Sequence, residues 1–553
     1  MSADATGAAV DARTRSREVY HEADVVIVGA GVLGCALAYA LANQGRSVLL
    51  LEHNMHEPDR IVGELMQPGG VASLRRLGLA DCIEGIDAIP CRGYHVVYDG
   101  DDIAIPYPPV DGDGHVPMDA YVPGSDEYKK KDNKRGDGGR VPNGRSFHHG
   151  RFIMQLRRKC LAHPNITVFE TKATGLIRAR PLSNEVLGVH AETTVRLDGS
   201  PISREDAAAA AKKDKESGAA VPSCPTTKKP DFFFGQLTVV ADGYKSDFRS
   251  EVLDTSPIVK SKFYALELID CPLEPKGFGH VFINSSAFPI LLYQIGSHET
   301  RALIDVPNNL PAASVANGGV RGYIRNVVIP SLPENVHACV EAALADGKIP
   351  RSMPNSWLPP APRSAITKAA SQGVILLGDA YNMRHPLTGG GMTVALNDAV
   401  VLSGLLAPDR VPRFGDHAAV ARAMGEFHWT RKRLTSIVNV LAQALYSLFA
   451  ANSRPLRMLQ QGCFQYFRRG WAAQPMGLLG GIIRKPLVLA YHFFSVAFLA
   501  IWLNTVEVIT GGSSSTGAAV LGLVKLPLAI ADGILVLWTA CVVFLPVFWR
   551  ELR

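Results

Sequence analysis

The residues best able to do chemistry fall in two places far apart in the chain. The first is Gly29-Ala30-Gly31-Val32-Leu33-Gly34, with Glu52 lying 23 positions after Gly29. A G-x-G-x-x-G string answered by an acid roughly 20 residues later is the spacing of a dinucleotide-binding turn. Gly29 permits the tight turn, Gly31 lets the backbone approach a pyrophosphate, and Gly34 lets a helix pack on a sheet. The free N–H groups at the start of that helix point at phosphates. Glu52 can accept hydrogen bonds from an adenosine ribose. The second place is Gly378-Asp379-Ala380, followed by Gly389, Gly390, Gly391 and Met392. A carboxylate on a distant strand suits the ribityl hydroxyls of an extended FAD. Backbone N–H groups unobstructed at three glycines can sit near the isoalloxazine ring, where donors and the helix dipole favour the negative charge of a reduced flavin. NAD needs neither feature. No second G-x-G-x-x-G occurs, so a separate nicotinamide domain is not expected.

These groups need elements to hold them. Residues 25–28 are a short apolar run, expected to be a buried parallel strand. Residues 35–43 read as an Ala-rich helix, ended by Gln44-Gly45, and 47–51 as a second buried strand, completing a βαβ unit. Residues 147–170 read as a helix followed by a strand over 165–169. Residues 237–241 form a strand ending in Asp242-Gly243. Residues 374–377 form another, leading into the glycines and a helix through Asp398. Residues 262–306 are rich in β-branched and aromatic residues, which predicts a separate antiparallel sheet able to wall a substrate cavity. The expected fold is α/β: a Rossmann-like FAD-binding domain, an antiparallel-sheet substrate domain and a C-terminal helical membrane-associated region. The boundaries expected are a flexible N-terminus over 1–22, the FAD-binding domain over 23–260 and 363–411, the substrate sheet over 261–362, and the helical region over 412–553. Two insertions, 111–144 and 200–229, lack the apolar content to pack a core and read as surface loops or partly disordered segments.

Composition narrows the class. The chain has 553 residues, 47% apolar and 20% charged, with a mean hydropathy of +0.09. The apolar excess concentrates near the end. Residues 487–506 contain no Asp, Glu, Lys or Arg, and 526–548 are broken only by Asp532. Each is long enough to cross a hydrocarbon layer of about 30 Å. Pro527 and Pro546 interrupt the second. A spanning hairpin and helices lying in one leaflet both fit, as does a buried core hairpin. The flanking Trp502, Trp538, Trp549, Arg550 and Arg553 suit a membrane interface. The net charge of +6 fits anionic lipid or a nucleotide cofactor, and is too weak and scattered for nucleic acid. Nine cysteines, an odd number with no C-x-x-C pair, argue against a disulfide framework or a zinc site. They are read as reduced thiols on the cytosolic side. No secretory signal stands in residues 1–22.

Longer strings carry a family resemblance. The G-x-G-x-x-G, Asp-Gly and Gly-Asp set resembles flavoprotein monooxygenases related to the aromatic hydroxylases. Residues 60–70 (Arg-Ile-Val-Gly-Glu-Leu-Met-Gln-Pro-Gly-Gly), 147–154 (Phe-His-His-Gly-Arg-Phe-Ile-Met), 237–243, 351–354, 378–393 and 439–446 are similar to the squalene monooxygenase (squalene epoxidase) family. That resemblance implies FAD contacts at Val32, Leu33, Glu52, His53, Arg60, Arg157, Ala173, Asp379 and Met392. It also implies that Tyr94 lies beside the flavin and holds a neighbouring polar side chain. The implied reaction is O2-dependent epoxidation of squalene to (S)-2,3-epoxysqualene in ergosterol-type sterol synthesis. Electrons would come from NADPH through a separate reductase, NADPH–cytochrome P-450 reductase. The implied location is the endoplasmic reticulum membrane with the catalytic domain facing the cytosol, and lipid droplets. The alkene brings no acid or base, so no catalytic triad is expected and none is found. Two rival readings are a flavin-dependent aromatic-ring hydroxylase and a non-catalytic flavin-fold carrier of prenyl or lipid groups. The two long insertions depart from the family pattern, and residues 1–22 are too polar for the N-terminal hydrophobic anchor of some members to be expected there.

Overall fold

A strand covered on both faces can be apolar at every position, and residues 25–28 are buried throughout. The computed structural model describes residues 12–111, 116, 141–181, 183–217, 224–284, 287–345, 350–451, 453–510 and 516–551. In it Glu22–Val28 is central to a seven-stranded sheet. The order is Ile166–Glu170, Val48–Glu52, Glu22–Val28, Thr226–Val240, Val186–Arg196 and Lys172–Arg178, with Val374–Leu376 paired to the end of Thr226–Val240. Glu22–Val28 is parallel to both Val48–Glu52 and Thr226–Val240, and Val374–Leu376 is parallel to Thr226–Val240. The helix Val32–Asn43 packs against His149–Leu161 and Gly391–Leu405. The turns that follow Val28, Glu52 and Leu376 therefore open at the carboxyl ends of parallel strands, where open α/β sheets bind their ligands.

A second sheet, also seven-stranded, runs Arg351–Trp357, Ile258–Ile269, Glu299–Pro307, Ile290–Gln294, Gly279–Ile283, Gly93–Tyr98 and Asp101–Pro106. Its last two strands come from within the segment expected to build the first domain. They join through a parallel pairing of Gly93–Tyr98 with Gly279–Ile283. A pairing between segments so distant in the chain leaves no trace in local periodicity. One apolar set of this sheet, with Phe263, Val281, Ile283, Leu291 and Leu303, packs with Phe464 and Met476 of the C-terminal helices. Another, with Phe282, Leu292 and Ile304, is covered by Tyr323, Val336 and Val340.

Asp305 lies in this sheet and is 1% exposed. Burial pushes its carboxyl up to about 6, against hydrogen bonds from Ser261, Tyr446 and Asn355. An acid held above its ordinary 3.8 keeps a proton in the folded state that the unfolded chain has released. Folding stability then falls as pH rises from about 4 to about 6 and stays flat above. Asp305→Asn should therefore stabilise the protein at pH 7 by up to about 3 kcal/mol and leave it unchanged near pH 4. Denaturant midpoints of parent and variant at the two pH values check this.

Residues 12–19 are helical, although flexibility was expected there. Arg17 anchors them, donating to the Pro164 carbonyl at 2.6 Å and to Thr167 Oγ1 at 3.0 Å. Within the 200–229 insertion, Arg204–Ser217 is a helix that lies largely exposed. Ser203 Oγ caps it by accepting from the Asp206 N–H at 3.0 Å. Alanine-rich sequence with acids in the first turn favours such a helix even where little can pack on it. Of the 111–144 insertion, residues 112–115 and 117–140 lie outside the described residues.

The last quarter of the chain is helical: His417–Ala450, Arg454–Arg468, Ala473–Leu479, Pro486–Thr510 and Thr516–Glu551. The final helix continues through Pro527 and Pro546, which were expected to interrupt it. Pro486–Ile509 and Lys525–Glu551 are each long and apolar enough to cross a membrane. Trp502, Trp538 and Trp549 are 65%, 67% and 58% exposed. A buried core hairpin would have covered them.

Candidate active site

The first glycine string forms a turn that tolerates no bulk at two points. Gly29 adopts φ +101°, and a Cβ there would stand 2.5 Å from the Ala241 carbonyl oxygen. A Cβ on Gly34 would stand 1.8 Å from the Gly29 carbonyl oxygen. Strand, turn and helix thus touch backbone to backbone. Glu52, at the end of the next strand, braces this turn. Its Oε2 accepts from the Ala30 N–H at 2.8 Å and lies 3.3 Å from Arg157, while Oε1 lies 2.7 Å from His53 Nδ1. Burial alone would raise the Glu52 carboxyl; the bond from His53 and the Arg157 guanidinium hold it below its ordinary value. Arg157 is itself buried, donating to the carbonyls of Ala30 at 3.1 Å and His56 at 2.9 Å. Its charge therefore works through the turn and through Glu52. His53 is largely exposed beside them. Ala173 sits in the strand Lys172–Arg178, paired with Ala191, away from the cleft described next.

A cleft runs between the two sheets. Its void is about 1430 Å³, counting its open mouth. It brings together Gly31, Val32, Leu33, Arg60, Tyr94, Asp379, Gly389, Gly391 and Met392, drawn from distant stretches of the chain. Gly29, Gly34 and Gly390 stand behind this lining and are packed from behind; a Cβ on Gly390 would meet Val438 at 2.3 Å. Gly389 takes φ +59°, which lets the chain turn sharply into the helix Gly391–Leu405. Arg60 reaches over the Tyr244 ring at 5.5 Å.

Three residues shape the cleft without having been singled out from sequence: Gln67, Glu64 and His149. Gln67 Nε2 donates to Tyr94 Oη and to the Thr388 carbonyl, both at 2.7 Å, while its Oε1 accepts from Tyr107 Oη. Tyr94 thus holds a polar side chain just before the three glycines. Burial raises the Tyr94 phenol, so it stays protonated. Glu64, which also lines the cleft, accepts from Arg301 Nε at 2.9 Å and Nη2 at 2.8 Å. This buried bidentate pair clamps the 60–70 segment to the second sheet. His149, also in the lining, holds the Gly63 carbonyl at 2.8 Å, and burial lowers its imidazole to about 3, so it stays neutral. Gln67 and Glu64 stand inside the 60–70 string, and His149 inside 147–154. Those strings were the available signal, but nothing in their spacing marks these members.

The donors and shapes fit FAD. The helices Val32–Asn43 and Gly391–Leu405 both begin at the cleft, and neither has a side-chain cap on its first N–H groups. Such groups need a partner. A Cβ on Gly31 or Gly391 would meet nothing within 4 Å, so both backbones are bare toward open space. Thr388 Oγ1, at the second turn, is buried with no partner among the described residues.

Known proteins bear on this geometry. Residues 24–58 match a family described as FAD dependent oxidoreductase, and residues 234–513 match one described as squalene epoxidase. A squalene epoxidase of Gibberella zeae is 56% identical over 98% of both chains. A squalene monooxygenase of Mus musculus is 37% identical over 99% of this chain and 81% of that one. Among solved structures, Klebsiella pneumoniae HpxO, complexed with FAD and uric acid, superposes with a TM-score of 0.52 at 18% identity, over 85% of this chain and 98% of that one. The p-nitrophenol 4-monooxygenase PnpA of Pseudomonas putida gives 0.54 at 15% identity, over 83% and 97%. Those two likenesses describe the fold alone. Fold, cleft and homologues together define an FAD-dependent monooxygenase. Within that class, the chain belongs to the squalene epoxidase family.

Proposed function

We propose that this enzyme epoxidises squalene at its terminal double bond to (S)-2,3-epoxysqualene, as a step of ergosterol-type sterol synthesis. The likeness to squalene epoxidases along nearly the whole chain carries this reading. One atom of O2 enters the alkene and the other leaves as water, with the two electrons drawn from NADPH through a cytochrome P-450 reductase. FAD, when bound, supplies the redox chemistry that activates O2.

The chain's own residues hold, orient and exclude water. Gly29, Gly31, Val32, Leu33 and Gly34 offer a bare turn and helix N-terminus to the pyrophosphate. Glu52 and His53 are read as facing the adenosine ribose, and Arg157 and Ala173 as further FAD contacts at that end, Ala173 through its backbone alone. Arg60 offers a cation at the cleft, and Asp379 offers a carboxylate to the ribityl hydroxyls. Gly389, Gly390, Gly391 and Met392 bring backbone N–H groups to the ring, and Tyr94 holds Gln67 beside them. In the cleft lining, Leu291, Leu303, Met353 and Leu387 offer an apolar wall to a hydrocarbon that carries no group to hydrogen-bond. Detergent-solubilised protein supplied with squalene, NADPH and a reductase should give one product, heavier than squalene by one oxygen atom. No product, or oxygen delivered instead to a phenolic ring, would end this reading.

The substrate dissolves in lipid, so the exposed apolar helices are read as the attachment to a bilayer, that of the endoplasmic reticulum, with the flavin domain on the cytosolic side and access to lipid droplets. Replacing Trp502 and Trp538 together with serine should weaken sedimentation with phospholipid vesicles by about tenfold or more, since each indole adds interfacial binding. Unchanged sedimentation would show that attachment lies elsewhere.

A further inference from the structure

The apolar hairpin is rooted in the flavin-binding body at both stems. At its start, Arg484 Nη1 donates to Asn397 Oδ1 at 3.0 Å, on the helix that opens at Gly391. At its end, Glu551 is 4% exposed and lies behind the wall of the cleft, two side chains from its lining. Glu551 Oε1 accepts from Asn439 Nδ2 at 2.8 Å, and its main-chain carbonyl accepts from Lys432 Nζ. Asn439 carries the link inward. Its Oδ1 accepts from Arg384 Nε at 2.8 Å, and its Nδ2 also donates to Asn382 Oδ1 at 3.1 Å. Arg384 Nη2 completes the knot, donating to Asn382 O at 2.8 Å and Oδ1 at 3.1 Å. Asn382, Asn439, Arg384 and Lys432 are all buried. Arg384 lines the cleft in company with Asp379.

An amide has few ways to satisfy this set. Asn439 can present Oδ1 to Arg384 only if Nδ2 faces acceptors, and Glu551 and Asn382 are those acceptors. Without the Glu551 oxygen, one donor loses its partner in a site closed to water, and the amide is free to turn away from Arg384. A buried guanidinium so released must find another arrangement, and the cleft wall is where it would move.

We propose that Glu551 is a positioning residue for the cleft: through Asn439 it holds Arg384 in the wall that binds FAD, so seating of the apolar C-terminal helix and cofactor binding are coupled. This rests on the placing of FAD in that cleft.

The test uses the full-length chain in detergent, with FAD titrated by flavin fluorescence and the visible circular dichroism of bound flavin recorded. Folding of each variant is checked by far-ultraviolet circular dichroism. Glu551→Ala should weaken FAD binding by about tenfold, the scale of a lost bond in a charged network, and should alter the flavin dichroism. Glu551→Gln, which keeps an acceptor oxygen, should restore both to within about twofold of the parent. In an Arg384→Ala background, Glu551→Ala should cause no further loss, because the chain of contacts is already cut. Asp532→Asn breaks the Arg454 pair at 2.6 Å on the same helix and should leave FAD affinity at the parental value.

Parental affinity and dichroism in Glu551→Ala would overturn the inference. So would full additivity with Arg384→Ala, or an equal loss in Asp532→Asn, which would mark general loosening of the helix. If Arg384→Ala itself binds FAD like the parent, the placing of the cofactor is wrong. If it loses FAD and Glu551→Ala does not, only the coupling fails.

Discussion

Replacing Gly34 with alanine should produce a protein that no longer retains FAD through purification. The new Cβ would stand 1.8 Å from the Gly29 carbonyl oxygen and 3.0 Å from its carbon. Neither atom can yield, because both belong to the backbone of the turn. Gly29 is itself pressed against the Ala241 carbonyl, so it cannot retreat toward the next strand. The helix must move away from the strand, carrying its first N–H groups out of line. At about 1.5–3 kcal/mol for each charged hydrogen bond lost, two such losses weaken binding by a hundredfold or more. Equilibrium dialysis of FAD against parent and variant measures this. A variant with parental affinity would show that the turn does not cradle the cofactor.

The largest effect on stability is expected at Arg431. Its side chain and that of Asp398 are each 1% exposed and meet through contacts of 2.6 and 3.1 Å. The guanidinium also lies over the Tyr381 ring at 4.8 Å and the Phe427 ring at 5.6 Å. Asp398 belongs to the helix that opens at Gly391, and Arg431 to His417–Ala450. The pair therefore fixes the second cradle against the helical region. Arg431→Ala leaves Asp398 buried without its cation, a change that costs about 3–5 kcal/mol. The urea midpoint should fall accordingly with the slope unchanged. A loss under about 1 kcal/mol would mean that solvent reaches Asp398. The double replacement Asp398→Leu, Arg431→Met should recover much of the loss, because the uncompensated charge is then gone.

Much of this architecture was open to reading in the chain. Several local signals survived: the all-apolar strand at 25–28, the strand before Asp379, and the two apolar stretches at the end. Each reflects one short segment obeying one constraint. What stayed hidden depends on distant pairs. The strands Gly93–Tyr98 and Asp101–Pro106 pair with each other, and only the pairing of Gly93–Tyr98 with Gly279–Ile283 places them in the second sheet. Glu64 and Arg301 stand 237 residues apart and look like surface charges until the fold buries them together. Gln67 gains its place only because Tyr94, Tyr107 and Thr388 converge on it. The resemblance implies Arg157 as an FAD contact; its hydrogen bonds to the carbonyls of Ala30 and His56 show it gripping the turn from behind.

The proline positions teach a related point. Pro527 and Pro546 remove backbone donors and were expected to break the last helix, yet the helix runs through both. A long helix tolerates a missing bond where neighbours and packing hold its axis, and this one lies along Pro486–Thr510 for much of its length. That continuity brings its far end, with Glu551, against Asn439.

One flavin should lie between two cradles, one supplied by residues 29–34 and the other by residues 378–392. Absorbance and cofactor analysis of the purified full-length protein test it most directly. One FAD per chain is predicted, with the cofactor lost or greatly weakened in both Gly34→Ala and Asp379→Ala. A preparation that stays colourless with excess FAD, or an Asp379→Ala protein that holds FAD as the parent does, would contradict it.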